Sequence, residues 1–383
     1  MNPFEFATAT RIIFGEGKLR EIATIAPEFG RRALVVCGSV ERAQPLFALL
    51  DEAKVAYTPF SVRGEPNLEL IKAGVEQAHE SEAEMVISIG GGSTIDAGKA
   101  IAALATNPGD PLDYLEIIGK GQPISQTPLP FIAIPTTAGT GAEVTRNAVI
   151  SSPEHRLKVS LRSPLMLAKV ALVDPELTYG LPPAITAYTG MDALTQVIEP
   201  LVSNAANVMT DMICQLGILY GMNAIHNAYA HDDPSARNTM ALVSLWGGMA
   251  LANARLGAVH GFAGVLGGMF DAPHGALCAT LLPAVTYANV RALRTREPEN
   301  IGLKRYTSAV QYMSGYKVSD PGKAANLLAQ LTELMEIPPL RIYGIQQKDF
   351  AEIVEKSAKS SSMKGNPIVL TTEELTKILE KAL

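Results

Sequence analysis

The stretch ISIGGGSTIDAGKA, residues 87–100, decides the fold of the first half of the chain. Its β-branched residues predict a buried strand, and its three glycines predict a tight turn. The small residues after the glycines predict a helix, which begins with a capping box formed by Ser93 and Asp96. Glycine amides at a helix N-terminus bind anions well, because no Cβ atom blocks the approach. We expect a pyrophosphate at this turn. The alternative is a tight turn without a ligand.

Strand and helix patterns alternate on both sides of this stretch as far as Pro182. Further strands are predicted at ALVVC (33–37), VAYTPF (55–60), FIAIP (131–135) and KVALVDP (169–175). This alternation predicts a mostly parallel, doubly wound, Rossmann-like sheet with helices on both faces. After Pro182 only helical patterns follow. We therefore expect an α/β dinucleotide-binding domain over residues 1–182 and an all-helical domain over residues 183–383, with a site in the cleft between them.

A second ligand-binding turn is predicted in PTTAGTGAEVT, residues 135–145. Thr136, Thr137 and Thr140 offer hydroxyl groups beside glycines, and Thr140 and Glu143 have the spacing of another capping box. Two such turns at the carboxyl ends of strands in one sheet would converge on one crevice. The spacing differs from the G-x-G-x-x-G fingerprint, so the sequence indicates nucleotide binding without a standard Rossmann motif.

A third turn, CGSVER (37–42), bears on the choice of dinucleotide. An acid commonly follows this strand in NAD-binding proteins and holds the ribose 2′-hydroxyl. Here Gly38 and Ser39 stand at the strand end, no carboxylate is expected to repel a 2′-phosphate, and Arg42 would attract one. We expect NADP(H) to be used at least as well as NAD(H). The alternative is an indifferent loop whose arginine faces water. The residues expected to contact the dinucleotide are Gly38, Ser39, Gly91, Gly92, Ser93, Asp96, Thr136, Thr137 and Thr140.

Composition excludes several classes of partner. The net charge is −6 and no Lys/Arg block is present, so nucleic-acid binding is not expected. The first residues lack the pattern of a signal peptide, and every long apolar run is interrupted before membrane-spanning length, so no membrane association is expected. Three cysteines far apart in apolar contexts predict buried thiols in a reducing compartment. We expect a cytoplasmic protein.

The stretch GMDALTQVIEP, residues 190–200, places two polar residues in an apolar helix. Asp192 and Gln196 are four positions apart and therefore project from the same face. A carboxylate that faces an apolar interior is costly unless it has a partner. Two of the six histidines, His260 and His274, lie in a glycine-rich apolar segment, the first within a buried helix and the second at the start of the next. Alone each is more often a hydrogen-bonded core residue, but with Asp192 they suit a divalent transition metal with open positions.

The motifs GGGSTIDAGK, PTTAGTGAEVT, VDPELT, GMDALTQVIE and HGFAG…PHG occur in the order and spacing of one known family. Over essentially its whole length the chain resembles the iron-containing (group III) alcohol dehydrogenases. The resemblance implies a fold related to dehydroquinate synthase, in which the helical domain binds metal and substrate. It also implies NAD(P)-dependent interconversion of alcohols with aldehydes or ketones, a divalent metal (iron, zinc or similar) that polarises the substrate oxygen, and a homodimer or larger homo-oligomer.

Carried over residue by residue, the resemblance implies metal ligands at Asp192, His260 and His274. A further ligand, histidine in the family, falls on Gln196, whose amide oxygen is a weaker donor, so we expect a weakened metal site. Another family histidine falls on Gly264, which leaves room for a bulkier or more polar substrate and requires water or another residue to deliver the proton.

The resemblance also implies a catalytic position near the cofactor for Lys158; the alternative is a surface charge. The expected catalytic residues are His260, His274, Asp192 and Lys158.

Two alternatives remain open from the sequence. In a degenerate site, Asp192 and Gln196 would hydrogen-bond to each other and to the histidines, leaving a metal-free nucleotide-binding protein. A lyase of the dehydroquinate synthase type would need Lys and Arg residues around the metal, and no such cluster accompanies the ligand residues. A metal assay together with NADPH oxidation against an aldehyde panel separates these possibilities.

Overall fold

The computed structural model describes residues 3–383, and the chain divides into two compact units. One unit comprises Thr8–Thr137 and Gly141–Tyr179. The other comprises Gly180–Leu383 together with a short N-terminal segment and Ala138–Thr140. The exact domain boundary near residue 182 stays a prediction.

The first unit is an α/β fold built around a parallel sheet. Its strands are β1 (Arg11–Phe14), β2 (Arg32–Cys37), β3 (Ala56–Ser61), β4 (Met85–Gly90), β5 (Phe131–Pro135), β6 (Asn147–Ser152), β7 (Leu157–Arg162) and β8 (Val170–Val173). Its helices are α1 (Ile22–Ile25), α2 (Gln44–Glu52), α3 (Leu68–Glu80), α4 (Gly92–Leu104) and α5 (Pro111–Tyr114). Six strands pair in parallel in the order β1-β8-β5-β4-β2-β3, and β6 pairs with β7 as an antiparallel hairpin.

The burial of each strand follows from its place in the sheet. Strands β4 and β5 are buried along their whole length, as expected of central parallel strands covered on both faces. Strand β3 lies at the edge, where Pro59 removes no hydrogen bond from a central ladder. Because β2, β4 and β5 are neighbours and parallel, the turns that follow them lie at one edge of the sheet. The predicted parallel α/β architecture is confirmed.

The second unit is all-helical within the described residues. Its helices are α6 (Pro183–Val202), α7 (Val208–His231), α8 (Pro234–Ala254), α9 (Ala258–Met269), α10 (His274–Arg296), α11 (Ile301–Ser314), α12 (Lys323–Leu334), α13 (Phe350–Ala358) and α14 (Thr372–Ala382). Helix α6 is central and packs against α7, α8 and α10. A Cβ atom on Gly217 of α7 would lie 2.7 Å from Val197 of α6, so glycine permits the close approach of these two helices.

Two helices of this unit, α7 and α10, are long and apolar enough to cross a membrane by length and composition alone. The expectation that every apolar run would be interrupted before that length is therefore wrong for both. In α10 the most apolar window is 72% buried within the protein, whereas in α7 it is 39% buried. Apolar residues of α10 serve the core, and α7 keeps a partly exposed apolar face.

Candidate metal and nucleotide sites

Three polar side chains share one buried face of α6. Asp192 and Gln196 are each 2% exposed and Glu199 is 5% exposed. Their spacing of four and then three residues places them on the same side of the helix. Buried polar groups require partners, so the contacts of these three residues identify what this face is built to hold.

The two predicted histidines lie beside Asp192. His260 is buried in α9, and His274 is the first residue of α10, as the sequence predicts. Oδ1 of Asp192 lies 3.3 Å from Nε2 of His260 and 3.8 Å from Nε2 of His274. This oxygen is buried and has no hydrogen-bond partner among the residues that the structure describes. A carboxylate oxygen that faces two imidazole nitrogens in this way fits a bound cation.

Gln196 has a partner outside this group. Its Nε2 atom donates a hydrogen bond of 2.9 Å to the carbonyl oxygen of Gly139. The amide orientation follows from this bond, because a carbonyl can only accept. Its Oε1 atom is buried and, within residues 3–383, lacks a hydrogen-bond partner. Gln196 does not pair with Asp192, so of the contacts in the degenerate site only those between Asp192 and the histidines are observed.

Glu199 is a site residue that the sequence reasoning missed. Its Oε2 atom lies 2.7 Å from Nδ1 of His260, and its Oε1 atom accepts a hydrogen bond from the backbone amide of Val259. Since the carboxylate accepts, Nδ1 of His260 carries the proton and Nε2 is left to face Asp192. Carboxylates that orient a histidine in this way are characteristic of metal sites. The signal in the sequence was a third polar residue on the face of Asp192 and Gln196.

Cys278 is the second missed residue. Its Sγ atom lies 3.8 Å from Nε2 of His260 and 3.6 Å from Nε2 of His274. One ligand atom from each of Asp192, His260, His274 and Cys278 lies within 4.8 Å of the others. The sequence signal was its position one helical turn after His274. All three cysteines are free and buried, as predicted.

Protonation in this group reflects burial opposed by neighbouring charge. Burial alone would raise the pKa of Asp192, but the nearby His260 and His274 lower it overall. Burial likewise opposes charging of His260, but Cys278, Asp192 and Glu199 outweigh it and raise the pKa of the ring well above its ordinary value. Burial raises the pKa of the Cys278 thiol to about 12. The two imidazoles thus favour an ionised Asp192 carboxylate despite its burial.

Gly264 lies one turn after His260 on α9. A Cβ atom built on it meets no described heavy atom within 4 Å. Open space is therefore present beside this backbone position, as the sequence predicts.

The three turns of the α/β unit are close to one another at the sheet edge. A Cβ atom on Gly91 would lie 3.5 Å from Oγ1 of Thr137, and one on Gly38 would lie 3.4 Å from Oγ1 of Thr94. The backbone amide of Thr136 donates to the carbonyl oxygen of Gly90. The turns after β4 and β5 are therefore adjacent, and the turn after β2 lies against the start of α4; their convergence on one ligand crevice stays a prediction.

Both predicted capping boxes are wrong. Helix α4 begins two residues earlier than expected, with Gly91 and not Ser93 as its N-cap and no side-chain cap. Asp96 instead accepts a hydrogen bond from the backbone amide of Val149, so it does not return to Ser93. Glu143 lies inside a short 3-10 helix, Ala142–Val144, whose N-cap is Gly141 and not Thr140; Gly141 is in the left-handed region at φ 57°. The amides that begin α4 are consequently not used by a side-chain cap.

Asp96, Lys99 and Glu143 form a buried charged group that the sequence reasoning did not predict. Nζ of Lys99 donates to the carbonyl oxygens of Ala142 and Asn147, both at 2.7 Å, and lies 3.6 Å from Oδ1 of Asp96. Burial raises the pKa of Asp96 to about 6 and that of Glu143 to about 7, although the charge of Lys99 opposes both shifts. The group ties α4 to the segment that follows β5.

The turn after β2 does contain a carboxylate, contrary to the expectation. Oγ of Ser39 donates a hydrogen bond of 2.6 Å to Oε2 of Glu41 and accepts one from the backbone amide of Arg42. The hydrogen bond from Ser39 lowers the pKa of Glu41, and the charge of Arg63 adds a smaller contribution. A negative charge therefore lies next to the hydroxyl group that was expected to meet a 2′-phosphate.

Lys158 is not the exposed surface charge of the alternative interpretation. It lies on β7 with a side chain only 8% exposed, and its Nζ atom is 3.1 Å from Oε1 of Glu65. Its place near a cofactor stays a prediction.

Comparison with known proteins identifies the family. Residues 9–175 match the model of the iron-containing alcohol dehydrogenases, and residues 186–383 match the C-terminal region of the Fe-containing alcohol dehydrogenase family. The chain belongs to the iron-containing alcohol dehydrogenase family. It is an enzyme of this family, an NAD(P)-dependent oxidoreductase of alcohols and aldehydes. The match over both halves of the chain therefore argues against the lyase alternative.

Several relatives align over nearly the whole chain. Alcohol dehydrogenase 4 of Saccharomyces cerevisiae is 36% identical over 379 residues, which cover 96% of both chains. The crystal structure of a 1,3-propanediol oxidoreductase has 30% identity and a TM-score of 0.91, with full coverage of both chains. A sulfoacetaldehyde reductase from Bifidobacterium kashiwanohense, solved in complex with NAD+, has 26% identity and a TM-score of 0.88, covering 100% of this chain and 99% of its own. The fold of both units is therefore that of the family.

Proposed function

We propose that Asp192, His260 and His274 hold one divalent metal ion, with the amide oxygen of Gln196 as a weaker donor. The observation that carries this proposal is the buried Oδ1 atom of Asp192, which faces two imidazole nitrogens and lacks a hydrogen-bond partner in the described part of the chain. Two imidazoles and a carboxylate are a donor set for zinc or divalent iron. The orphaned Oε1 of Gln196 supports its inclusion.

We propose that the turns after β2, β4 and β5 bind the dinucleotide. Gly91, Gly92 and Ser93 would offer backbone amides to the pyrophosphate, because α4 begins without a side-chain cap. Thr136, Thr137 and Thr140 would supply hydroxyl groups. A helix N-terminus directly after a buried parallel strand is a common phosphate site in α/β proteins.

We propose that NADP(H) is accepted at least as well as NAD(H). Gly38 puts no acid at the strand end, and Arg42 adds positive charge nearby. Glu41 weakens this preference, since its carboxylate holds the hydroxyl of Ser39. Dual use of both dinucleotides is the expected result.

The proposed reaction is hydride transfer between the nicotinamide and a primary or secondary alcohol or its carbonyl product. When bound, the metal supplies a Lewis acid that polarises the substrate oxygen. Glu199 keeps Nε2 of His260 free of a proton at the metal, and Asp192 supplies negative charge beside it. Water is the proposed proton carrier, because Gly264 has no side chain to transfer a proton. The open space there favours a substrate larger or more polar than a simple primary alcohol.

The cytoplasm and a homodimer or larger homo-oligomer are also proposed. Three buried free thiols fit a reducing compartment. An exposed apolar face on α7 supports self-association, and its residues are Val208, Met209, Met212, Leu216 and Tyr220. Light scattering of the purified protein would test the assembly.

One experiment tests the proposed activity. Protein stripped of metal and reloaded with iron, zinc or manganese is analysed for bound ion and for NADPH and NADH oxidation with a panel of aldehydes. We expect one ion per chain and turnover that the stripped protein lacks. A folded protein that binds no ion after loading would contradict the metal site, and dinucleotide binding without turnover on any aldehyde would contradict the reaction.

A further inference from the structure

Cys278 projects into the same group of atoms as the three proposed ligands. It lies four residues after His274 on α10, so both side chains leave the same face of that helix. Its sulfur is 3.8 Å from Nε2 of His260 and 3.6 Å from Nε2 of His274. The side chain is fully buried, at 0% exposure.

Four of the six separations among these atoms are close to those of a tetrahedral ligand set. Around one zinc ion, with bonds of about 2.0–2.3 Å, ligand atoms lie roughly 3.3–3.7 Å apart. Asp192 lies 3.3 Å from His260 and 3.8 Å from His274. Cys278 lies 3.8 Å from His260 and 3.6 Å from His274. All four atoms fall within 4.8 Å of one another. Small adjustments of side chains would bring all four into contact with one ion.

We propose that Cys278 is the fourth protein ligand of the metal, bound as a thiolate. The inference rests on the proposed metal site, and it assigns that site a mixed carboxylate, imidazole and thiolate donor set. The substrate oxygen would then enter as a fifth ligand, an expansion that catalytic zinc sites undergo. Binding releases the thiol proton to solvent, since the thiolate is the metal-binding form. A thiolate selects zinc, cobalt or iron over magnesium and manganese, which prefer oxygen donors. Gln196 then serves mainly to hold the carbonyl group of Gly139 and contributes at most a further weak oxygen donor.

A thiol that only hydrogen-bonds to the two histidines is the competing account, and serine separates the two. In Cys278→Ser the hydroxyl still donates a hydrogen bond but is a poor ligand for a soft ion. Cys214→Ser is the matched control, because Cys214 is also a buried free thiol but lies on α7 outside the group.

The test loads metal-free wild type and both variants with one equivalent of Co(II) and records the absorption spectrum. We expect a thiolate-to-cobalt charge-transfer band in wild type and Cys214→Ser, and its loss in Cys278→Ser. Zinc affinity, measured by competition with a chromogenic chelator, should fall at least about tenfold in Cys278→Ser, as removal of even an indirect supporting group does. The ratio of zinc affinity to manganese affinity should also be smaller in Cys278→Ser than in wild type.

Contrary outcomes are distinguishable. Stoichiometric cobalt binding without a charge-transfer band, or a band that survives in Cys278→Ser, overturns thiolate ligation and leaves the proposed metal site intact. Wild type that binds no cobalt overturns the metal site itself. If Cys278→Ser does not fold, X-ray absorption of the zinc-loaded wild type decides, because a ligating sulfur appears at about 2.3 Å from the ion. A shell of nitrogen and oxygen alone would overturn the proposal.

Discussion

Nδ1 of His260 lies 2.7 Å from Oε2 of Glu199, and this contact fixes which nitrogen of the ring faces Asp192. The same carboxylate accepts a hydrogen bond from the backbone amide of Val259 at the start of α9. The buried carboxylate of Glu199 thus binds the first turn of α9 and also selects the tautomer of His260. The residue acts through His260 and is a positioning residue.

Replacing Glu199 with glutamine should weaken metal binding by about 10- to 100-fold. The carboxylate of Glu199 accepts hydrogen bonds from the amide of Val259 and from Nδ1 of His260. A glutamine side chain has only one acceptor oxygen, so one of these two donors would face its NH2 group. The ring of His260 would then favour the tautomer that carries its proton on Nε2. Competition with a chelator measures the affinity, and exposed Glu380→Gln is the control. Equal affinity in a folded Glu199→Gln protein would argue against this role.

Replacing Gln196 with histidine should strengthen metal binding relative to wild type. Imidazole is a stronger donor than an amide oxygen for zinc and divalent iron. The change also removes the amide that donates to the carbonyl oxygen of Gly139, so thermal stability should fall slightly unless the ring nitrogen replaces that bond. Zinc titration and a thermal melt measure the two effects. A metal affinity at or below that of wild type would contradict the placement of Gln196 at the ion.

The sequence predicted which helices carry the metal ligands better than it predicted how helices are capped. Asp192, His260 and His274 were found because polar residues in apolar, glycine-rich helices need partners. Both capping boxes were wrong because spacing alone cannot tell whether a carboxylate turns back to its helix or reaches another strand, as Asp96 reaches Val149. Glu199 and Cys278 were missed for a related reason, since their partners are distant in sequence.

The edge elements were also harder to predict than the central ones. Strands β4 and β5 are continuous apolar runs, which a parallel sheet requires. Strand β1 has only four residues, and the β6–β7 hairpin alternates buried with partly exposed positions. Short or half-buried strands like these have a hydrophobic pattern too weak to be identified from the sequence.

Substitution of Gly91 with valine should raise the dissociation constant for the dinucleotide about tenfold or more. The new side chain would obstruct the amides that begin α4, and each charged hydrogen bond lost costs about 1.5–3 kcal/mol. The fold should survive, because a Cβ atom on Gly91 makes only an ordinary contact of 3.5 Å with Thr137. Fluorescence titration with NADPH and NADH measures the effect.

Gly90→Ala is the matched comparison for this turn. A Cβ atom there would lie 2.6 Å from the side chain of Thr94, so this variant should lose stability. Unchanged cofactor affinity in a folded Gly91→Val protein would show that the pyrophosphate binds elsewhere.

Glu143 should make stability fall as pH rises toward neutrality. Burial raises its pKa from 4.5 to about 7, so the folded protein retains a proton that the unfolded chain releases. This contribution to stability is complete below pH 4.5 and is lost as pH rises through about 7. In Glu143→Gln this part of the loss should disappear. The difference in unfolding free energy between wild type and variant should therefore change by about 1–3 kcal/mol between pH 5 and 8.

Urea unfolding at several pH values between 5 and 8 measures this difference. The exposed Glu355→Gln variant is the control, because that side chain makes its contact at the surface. Parallel pH profiles for wild type and Glu143→Gln would refute the assignment. Asp96, with a pKa raised to about 6, should leave a smaller residual slope in both proteins.

The last prediction concerns the dinucleotide and uses two opposite changes in one turn. Gly38→Asp would place a carboxylate against a 2′-phosphate, and like charges at close range cost several kcal/mol, so the kcat/KM for NADPH should fall at least about tenfold while that for NADH persists or improves. Glu41→Gln removes the charge that holds Ser39 and should shift preference toward NADPH by up to about fivefold, the range of an exposed charge pair. Rates at low and moderate salt show whether screening accounts for the size of each effect. Wild type with a strong preference for NADH, and two variants that leave it unaltered, would show that the turn after β2 does not contact the ribose.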